Sequence, residues 1–206
     1  MERRAAGLAR TWLMAMALGC GALFAGSGLS ADKPKGKSGE KPWQTLEGCR
    51  YQERDGNDGD SFGVQCGRSK FVLRLYFVDA PEKSASRDND RLSEQMKHFG
   101  ATFEDTIGAG HRANELAHNV LGDAFVVQTK KANAPGRSSE PRYYGLVQVR
   151  GRYLHEALLA EGLARVKGVT TTLPDGTKSG DYLKKLRALE NQARSERRGA
   201  WARSLK

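Results

Sequence analysis

Two short segments hold the residue types that could do chemistry in this chain: Asp58-Gly59-Asp60-Ser61 and, downstream, Arg74-Leu75-Tyr76-Phe77-Val78-Asp79-Ala80-Pro81-Glu82. Three carboxylates, Asp60, Asp79 and Glu82, and one guanidinium, Arg74, fall within 23 residues. Carboxylate oxygens hold a hard divalent cation, a guanidinium grips a phosphodiester, and a further carboxylate activates a water against it. Taken singly the motifs are ordinary. Asp-Gly is a common hairpin turn, and Asp-Ala-Pro-Glu is a common exit from a strand. Their conjunction is not ordinary. Arg74 also stands inside an apolar run, where a lone charge is costly without a partner or a function.

The elements that must position these groups are short strands. Between Gln44 and Val78 the pattern gives strands around a turn at Asp55-Gly56-Asn57-Asp58-Gly59, with Phe62 to Cys66 alternating and Phe71 to Val78 a strong β run. Residues 83–106 are polar and read as a long surface loop with some helix. A helix over 108–121 follows, with Ala113, Leu116, Ala117 and Val120 at helical spacing and Gly122 as its stop. Residues 125–129 and 144–149 read as strands, separated by a basic loop and followed by a helix over 154–163. Asp181 is the expected N-cap of a last helix that Gly199 closes before Trp201. The predicted class is α+β, mainly β: a five-stranded barrel of the oligonucleotide-binding type with about three packed helices, closed because short antiparallel strands need their edges covered.

The 206 residues suffice for one domain with a real core. Residues 1–31 have the form of a secretory signal peptide. Arg3, Arg4 and Arg10 precede an uncharged apolar stretch from Trp12 to Phe24, and Leu29-Ser30-Ala31 offers a cleavage site. The alternatives are an uncleaved anchor, or a lipoprotein box at Ala17-Leu18-Gly19-Cys20, against which apolar residues continue past Cys20. Residues 32–43 read as a basic disordered linker and 44–203 as the folded domain. The expected location is the periplasm or the exterior, where Cys49 and Cys66, flanking the first hairpin, can form a cross-strand disulfide. Net charge is +10, of which residues 1–31 carry +2. The remaining +8 suits an anionic partner, nucleic acid or an anionic membrane surface, though it also serves plain solubility.

The sequence resembles the staphylococcal nuclease (thermonuclease) family over about residues 44–201, apart from residues 83–106. The spacing from Asp58-Gly59-Asp60 through Arg74 to Asp79-Ala80-Pro81-Glu82 is similar to the family's without a gap. Gly151-Arg-Tyr-Leu-His-Glu-Ala-Leu-Leu-Ala-Glu-Gly-Leu-Ala-Arg-Val resembles its hairpin glycine, Asn-Glu-Ala-Leu helix and Gly-Leu-Ala stretch. Glu190 to Trp201 resembles its last helix and tryptophan.

The resemblance implies a Ca²⁺ ion held by Asp60 and Asp79 with the backbone carbonyl of Ala80, Glu82 as general base or water-positioning group, and Arg74 on the phosphate. It also implies a second arginine. A gap-free count from Gly151 and Glu156 assigns it to Arg142, whereas counting by the local Arg-Tyr pair places Gly145 there and leaves Arg142 flanking, with Arg137 as a weaker substitute. The gap-free count is preferred because the hairpin length then agrees. The family's substrate-side tyrosines fall on Gly168 and Thr170. Tyr143 and Tyr144 are alternative contacts for a base or phosphate, or strand packing residues, a role that suits Tyr144 better.

The activity implied is an exported, calcium-dependent endonuclease, a phosphodiesterase cutting DNA and RNA, single-stranded or locally melted, with low sequence selectivity, acting as a monomer without a stable protein partner. The alternative is a non-catalytic nucleic-acid-binding module of the same fold, free or tethered to a membrane. His98, His111 and His118 are spaced too far apart to share a metal easily. Glu156, Trp43 and Trp201 are expected to serve structure.

Overall fold

The structure, a computed structural model, describes residues 41–84, 89–136 and 138–203. The leader read in residues 1–31, most of the linker and Arg137 lie outside the described residues. Among those described, no helix is long and apolar enough to cross a membrane.

Five strands close into a ring. β1 (Gln44–Gln52), β2 (Ser61–Cys66) and β3 (Ser69–Leu75) form an antiparallel meander. β5 (Phe125–Asn133) pairs antiparallel with β1 and with β6 (Arg142–Val149), and β6 closes the ring by running parallel to β3. The order β1-β2-β3-β6-β5, with its single parallel contact, is the expected oligonucleotide-binding-type arrangement. Alternate residues of each strand, among them Phe62, Val64, Leu73, Leu75, Val127 and Leu146, fill the interior. Cys49 and Cys66 are joined by a disulfide across the first hairpin, as the sequence suggests.

Among the described residues, four α-helices pack around the ring, one more than the sequence pattern resolves. α1 (Asn89–Phe99) occupies the polar stretch read mainly as loop. α2 (Phe103–Val120) starts five residues before the expected position, because Thr102 accepts from the Asp105 N–H and supplies an N-cap that the apolar spacing does not reveal. α3 (Leu154–Ala160) is shorter than expected, ended by Gly162 at φ +65°. α4 (Ser179–Ser195) begins two residues before Asp181, so Asp181 is not its cap. It lies in the first turn, where it favours the helix dipole and pairs with Lys184. A short 3₁₀ turn (Gly199–Trp201) then packs Trp201 on Phe99 at 4.8 Å. Trp43 also packs, edge-on to Tyr76, and donates to the Thr172 carbonyl.

The long β run from Phe71 to Val78 does not stay in one strand. Phe77 adopts φ +72°, a left-handed conformation that is strained for a bulky side chain. Its ring is wholly buried against His155 and Tyr182, and its backbone bonds to Val169 and Lys167, which together hold the turn. Beyond it, β4 (Val78–Asp79) leaves the ring and pairs with β8 (Arg165–Val166). The remaining two-residue strand, β7 (Arg152–Tyr153), extends the edge of β6.

Candidate active site

Asp60 is placed by the turn before β2. The buried Asn57 amide pins that turn, donating to the Gln52 carbonyl and accepting from the Gly63 N–H. Gly59 must be glycine: a Cβ there would stand 2.6 Å from the Ala113 Cβ on α2. Asp60 is thereby buried. Its Oδ2 accepts from the Ala80 N–H at 2.7 Å, and its Oδ1 lies 2.9 Å from Arg74 Nη1 without a linear hydrogen bond. Burial, joined by the charge on Asp58, raises its proton affinity well above the usual carboxylate range, and Arg74 only partly offsets this.

Asp79 is the hub. Its Oδ1 accepts from Arg74 Nη2 at 3.1 Å and Arg91 Nη2 at 2.6 Å, and its Oδ2 from Arg165 Nε at 2.8 Å and Gln95 Nε2 at 3.1 Å. Burial alone would raise its carboxyl. Arg91, Gln95 and Arg165 outweigh burial and hold it at about 2. Glu82 sits half-buried at the end of the same turn, with Oε1 2.9 Å from Arg91 Nη1. There burial dominates and the carboxyl is pushed up despite Arg91.

Arg142 stands opposite Val72, and Tyr144 opposite Arg74, so Arg142, Tyr144 and Arg74 share one face of the β3–β6 pair. Burial and then Arg74 lower the proton affinity of Arg142, while Asp58 and Asp60 act against them. Its Nε is buried and has no hydrogen-bond partner among the described residues. Gly145, the rival position for the second arginine, abuts Leu73: a Cβ there would come 2.6 Å from Leu73 Cδ1. Tyr144 stacks on Tyr76 at 5.1 Å, so it packs as expected, yet on the arginine face. Tyr143 is turned to the other face, against Phe71, and so does not join the arginine row. Gly168 and Thr170 bring no aromatic ring.

Three residues of this cluster escaped the sequence reading: Arg91 and Gln95 on α1, and Arg165 in β8. The available signal for the first two was Arg91-x-x-Glu94-Gln95, three polar groups on one helix face. The histidines make separate contacts, His98 with Glu190 and His118 with Glu53. Among the described residues, no three His, Cys, Asp or Glu side chains form a ready-made metal site.

The model of one protein family, staphylococcal nuclease homologue, matches residues 72–203, well over half of the chain. The chain belongs to that family. A comparison with curated proteins finds no match. A staphylococcal nuclease homologue domain points to nuclease or nucleic-acid-binding work, and the matched span holds every site residue named above except Asp58 and Asp60, which the fold brings up from the preceding turn.

The family is known for calcium-dependent cleavage, so the oxygens present must be weighed against that ion. Asp60 fits in donor type: its buried Oδ1 makes no hydrogen bond, although Arg74 Nη1 stands 2.9 Å away and already supplies a positive charge there. Asp79 and the Ala80 carbonyl are of the right type, hard oxygen donors. Asp79 is already fully engaged, however, and a cation would have to share it with, or displace, one of its guanidinium partners. Arg91 is the most exposed of these, at 34% against 15% for Arg74 and 3% for Arg165.

Proposed function

We propose that this protein is an exported, calcium-dependent nuclease that hydrolyses phosphodiester bonds of DNA and RNA with low sequence selectivity. The observation that carries this reading is the half-buried Arg74 guanidinium forked between Asp60 and Asp79, with Arg142 near it on the same sheet face. A phosphate entering there meets two guanidinium groups. Their donors offset the charge that grows on the phosphoryl oxygens as water attacks. Glu82 takes the proton of that water, and its raised proton affinity makes it the stronger base. Asp60, Asp79 and the Ala80 carbonyl would hold Ca²⁺. When bound, the ion supplies Lewis acidity and further charge neutralisation. Tyr144, on the arginine face, is the aromatic group available to a base or sugar.

Export is supported by the form of residues 1–31 and by the Cys49–Cys66 bond, which persists in oxidising compartments. The +8 left beyond residues 1–31 favours a polyanionic substrate. The purified protein should degrade single-stranded DNA when Ca²⁺ is added and stop when it is chelated. Binding without cleavage in every divalent metal tried would reject the enzyme reading. It would favour a binding module instead, a second reading that rests on the saturation of Asp79 by Arg74, Arg91, Arg165 and Gln95.

A further inference from the structure

The polar helix α1 turns one polar face, Arg91, Glu94 and Gln95, toward the Asp79 cluster, with Gln95 buried and Glu94 at the exposed rim. Leu92 and Phe99 anchor it in the core, while Arg91, Glu94 and Gln95 share one face and all reach the Asp79 cluster. Gln95 is fully buried and every hydrogen of its amide is used. Nε2 donates to the Ala80 carbonyl at 2.9 Å and to Asp79 Oδ2 at 3.1 Å, and Oε1 accepts from the Glu82 N–H at 3.0 Å. One side chain thus ties together three members of the Asp79-Ala80-Pro81-Glu82 turn. If this position only had to hold α1 on the core, an apolar side chain would do so without the need to satisfy a buried amide.

Arg91 adds the side-chain link, forking from Asp79 Oδ1 to Glu82 Oε1. Glu94 makes a parallel link, pairing with Arg165, which itself donates to Asp79, and with Lys167. On the opposite side the turn is pressed against α2: a Cβ on Gly110 would lie 2.3 Å from the Glu82 carbonyl oxygen. The turn is therefore wedged between two helices and cannot be set by the ring alone.

We propose that α1 is a working part of the site: Gln95 is a positioning residue that fixes the Asp79–Glu82 turn, and Arg91 is a positioning residue that aims the Glu82 carboxylate toward Asp79. This rests on the nuclease reading for its catalytic consequence, and on geometry alone for its structural one. A misplacement of about 1 Å in a catalytic group costs about 10²-fold in rate, so the turn need not unfold for activity to suffer.

The test uses the full chain with Gln95→Met, which keeps volume and helix propensity but removes the three bonds, and with Arg91→Ala and Arg91→Lys. In Gln95→Met, hydrogen exchange at the Glu82 amide should speed at least about tenfold while the β-ring amides stay protected. Its kcat should fall about 10²-fold with KM little changed. Arg91→Ala should lower kcat about tenfold, and Arg91→Lys, which keeps the charge but not the fork, should recover only part of it. Unchanged Glu82 exchange in Gln95→Met overturns the proposal, as does an unchanged kcat in a wild type that cleaves. If the wild type does not cleave, the nuclease reading falls, and the Glu82 exchange decides the positioning role by itself. If Gln95→Met does not fold, Gln95→Ala, which removes the same three bonds without placing a thioether beside Asp79, carries the test through the exchange of the same amide.

Discussion

Two polar networks among the described residues, one between α3 and α4 and one around Asp79, are built differently. Between α3 and α4, Tyr182 donates to Glu156 and accepts from His155 at 2.8 Å, while Lys185 closes the chain on Glu156 at 2.7 Å. That assigns the imidazole proton to Nε2 and leaves Nδ1 bare. Burial keeps the ring neutral, with its pKa pushed down to about 4, and the one carboxylate is matched by one ammonium. Around Asp79, by contrast, Arg74, Arg91 and Arg165 reach Asp60, Asp79, Glu82 and Glu94, and a single oxygen of Asp79 takes two guanidinium groups. The first network uses the least charge that will join two helices. The second gathers three guanidinium groups on one carboxylate, more charge than joining α1 to the ring would need.

This contrast can be broken by experiment. The largest effect is expected at Arg74, where truncation to Ala removes the fork between Asp60 and Asp79. Cleavage should fall at least about 10³-fold, measured in single turnovers, and retention within tenfold would show that the fork is not catalytic. Arg142→Ala should cost about 10²–10³-fold. Because its Nε has no hydrogen-bond partner among the described residues, Tm should barely move; a large loss of Tm would make Arg142 a structural residue instead.

The helix-joining network should respond to acid and not to substrate. His155 is protonated in the unfolded chain near pH 6.5 but in the folded one only near 4. Its contribution is complete above pH 6.5, is lost as pH falls toward 4, and levels off below. The loss is about 3 kcal/mol in unfolding free energy. Urea titrations across that window should show the slope in the wild type and not in His155→Gln; equal slopes would assign it to other groups. Smallest is Tyr182→Phe, expected to cost about 1–2 kcal/mol of stability while leaving kcat unchanged. A fall in kcat there would show that the two networks are coupled.

Much of the site was legible from local pattern. An arginine inside an apolar strand and carboxylates at strand ends are visible without tertiary knowledge, and Asp60, Arg74, Asp79 and Glu82 do converge. The alternating apolar residues likewise specified the ring. What escaped were residues whose partners are distant in sequence. Arg91 and Gln95 lie on a helix face that looks solvent-facing, because a face turned toward a charged cluster has the same composition as one turned toward water. Arg165 sat inside an otherwise apolar stretch, and the carboxylate near it in sequence, Glu161, is not the partner it finds in the fold. The break at Phe77 left no trace in composition, since packing from α3 and α4 enforces it and aromatic residues favour strands.

The left-handed step at Phe77 also makes the molecule modular. By taking Asp79 out of the ring and pairing it with Arg165, it assigns the hub carboxylate to the segment that follows α3. The groups that hold Asp79 from outside the ring, Arg165 in β8 and Arg91 and Gln95 on α1, therefore belong to segments that the ring's own strand pairing does not include, and Arg74 alone ties the hub back to the ring.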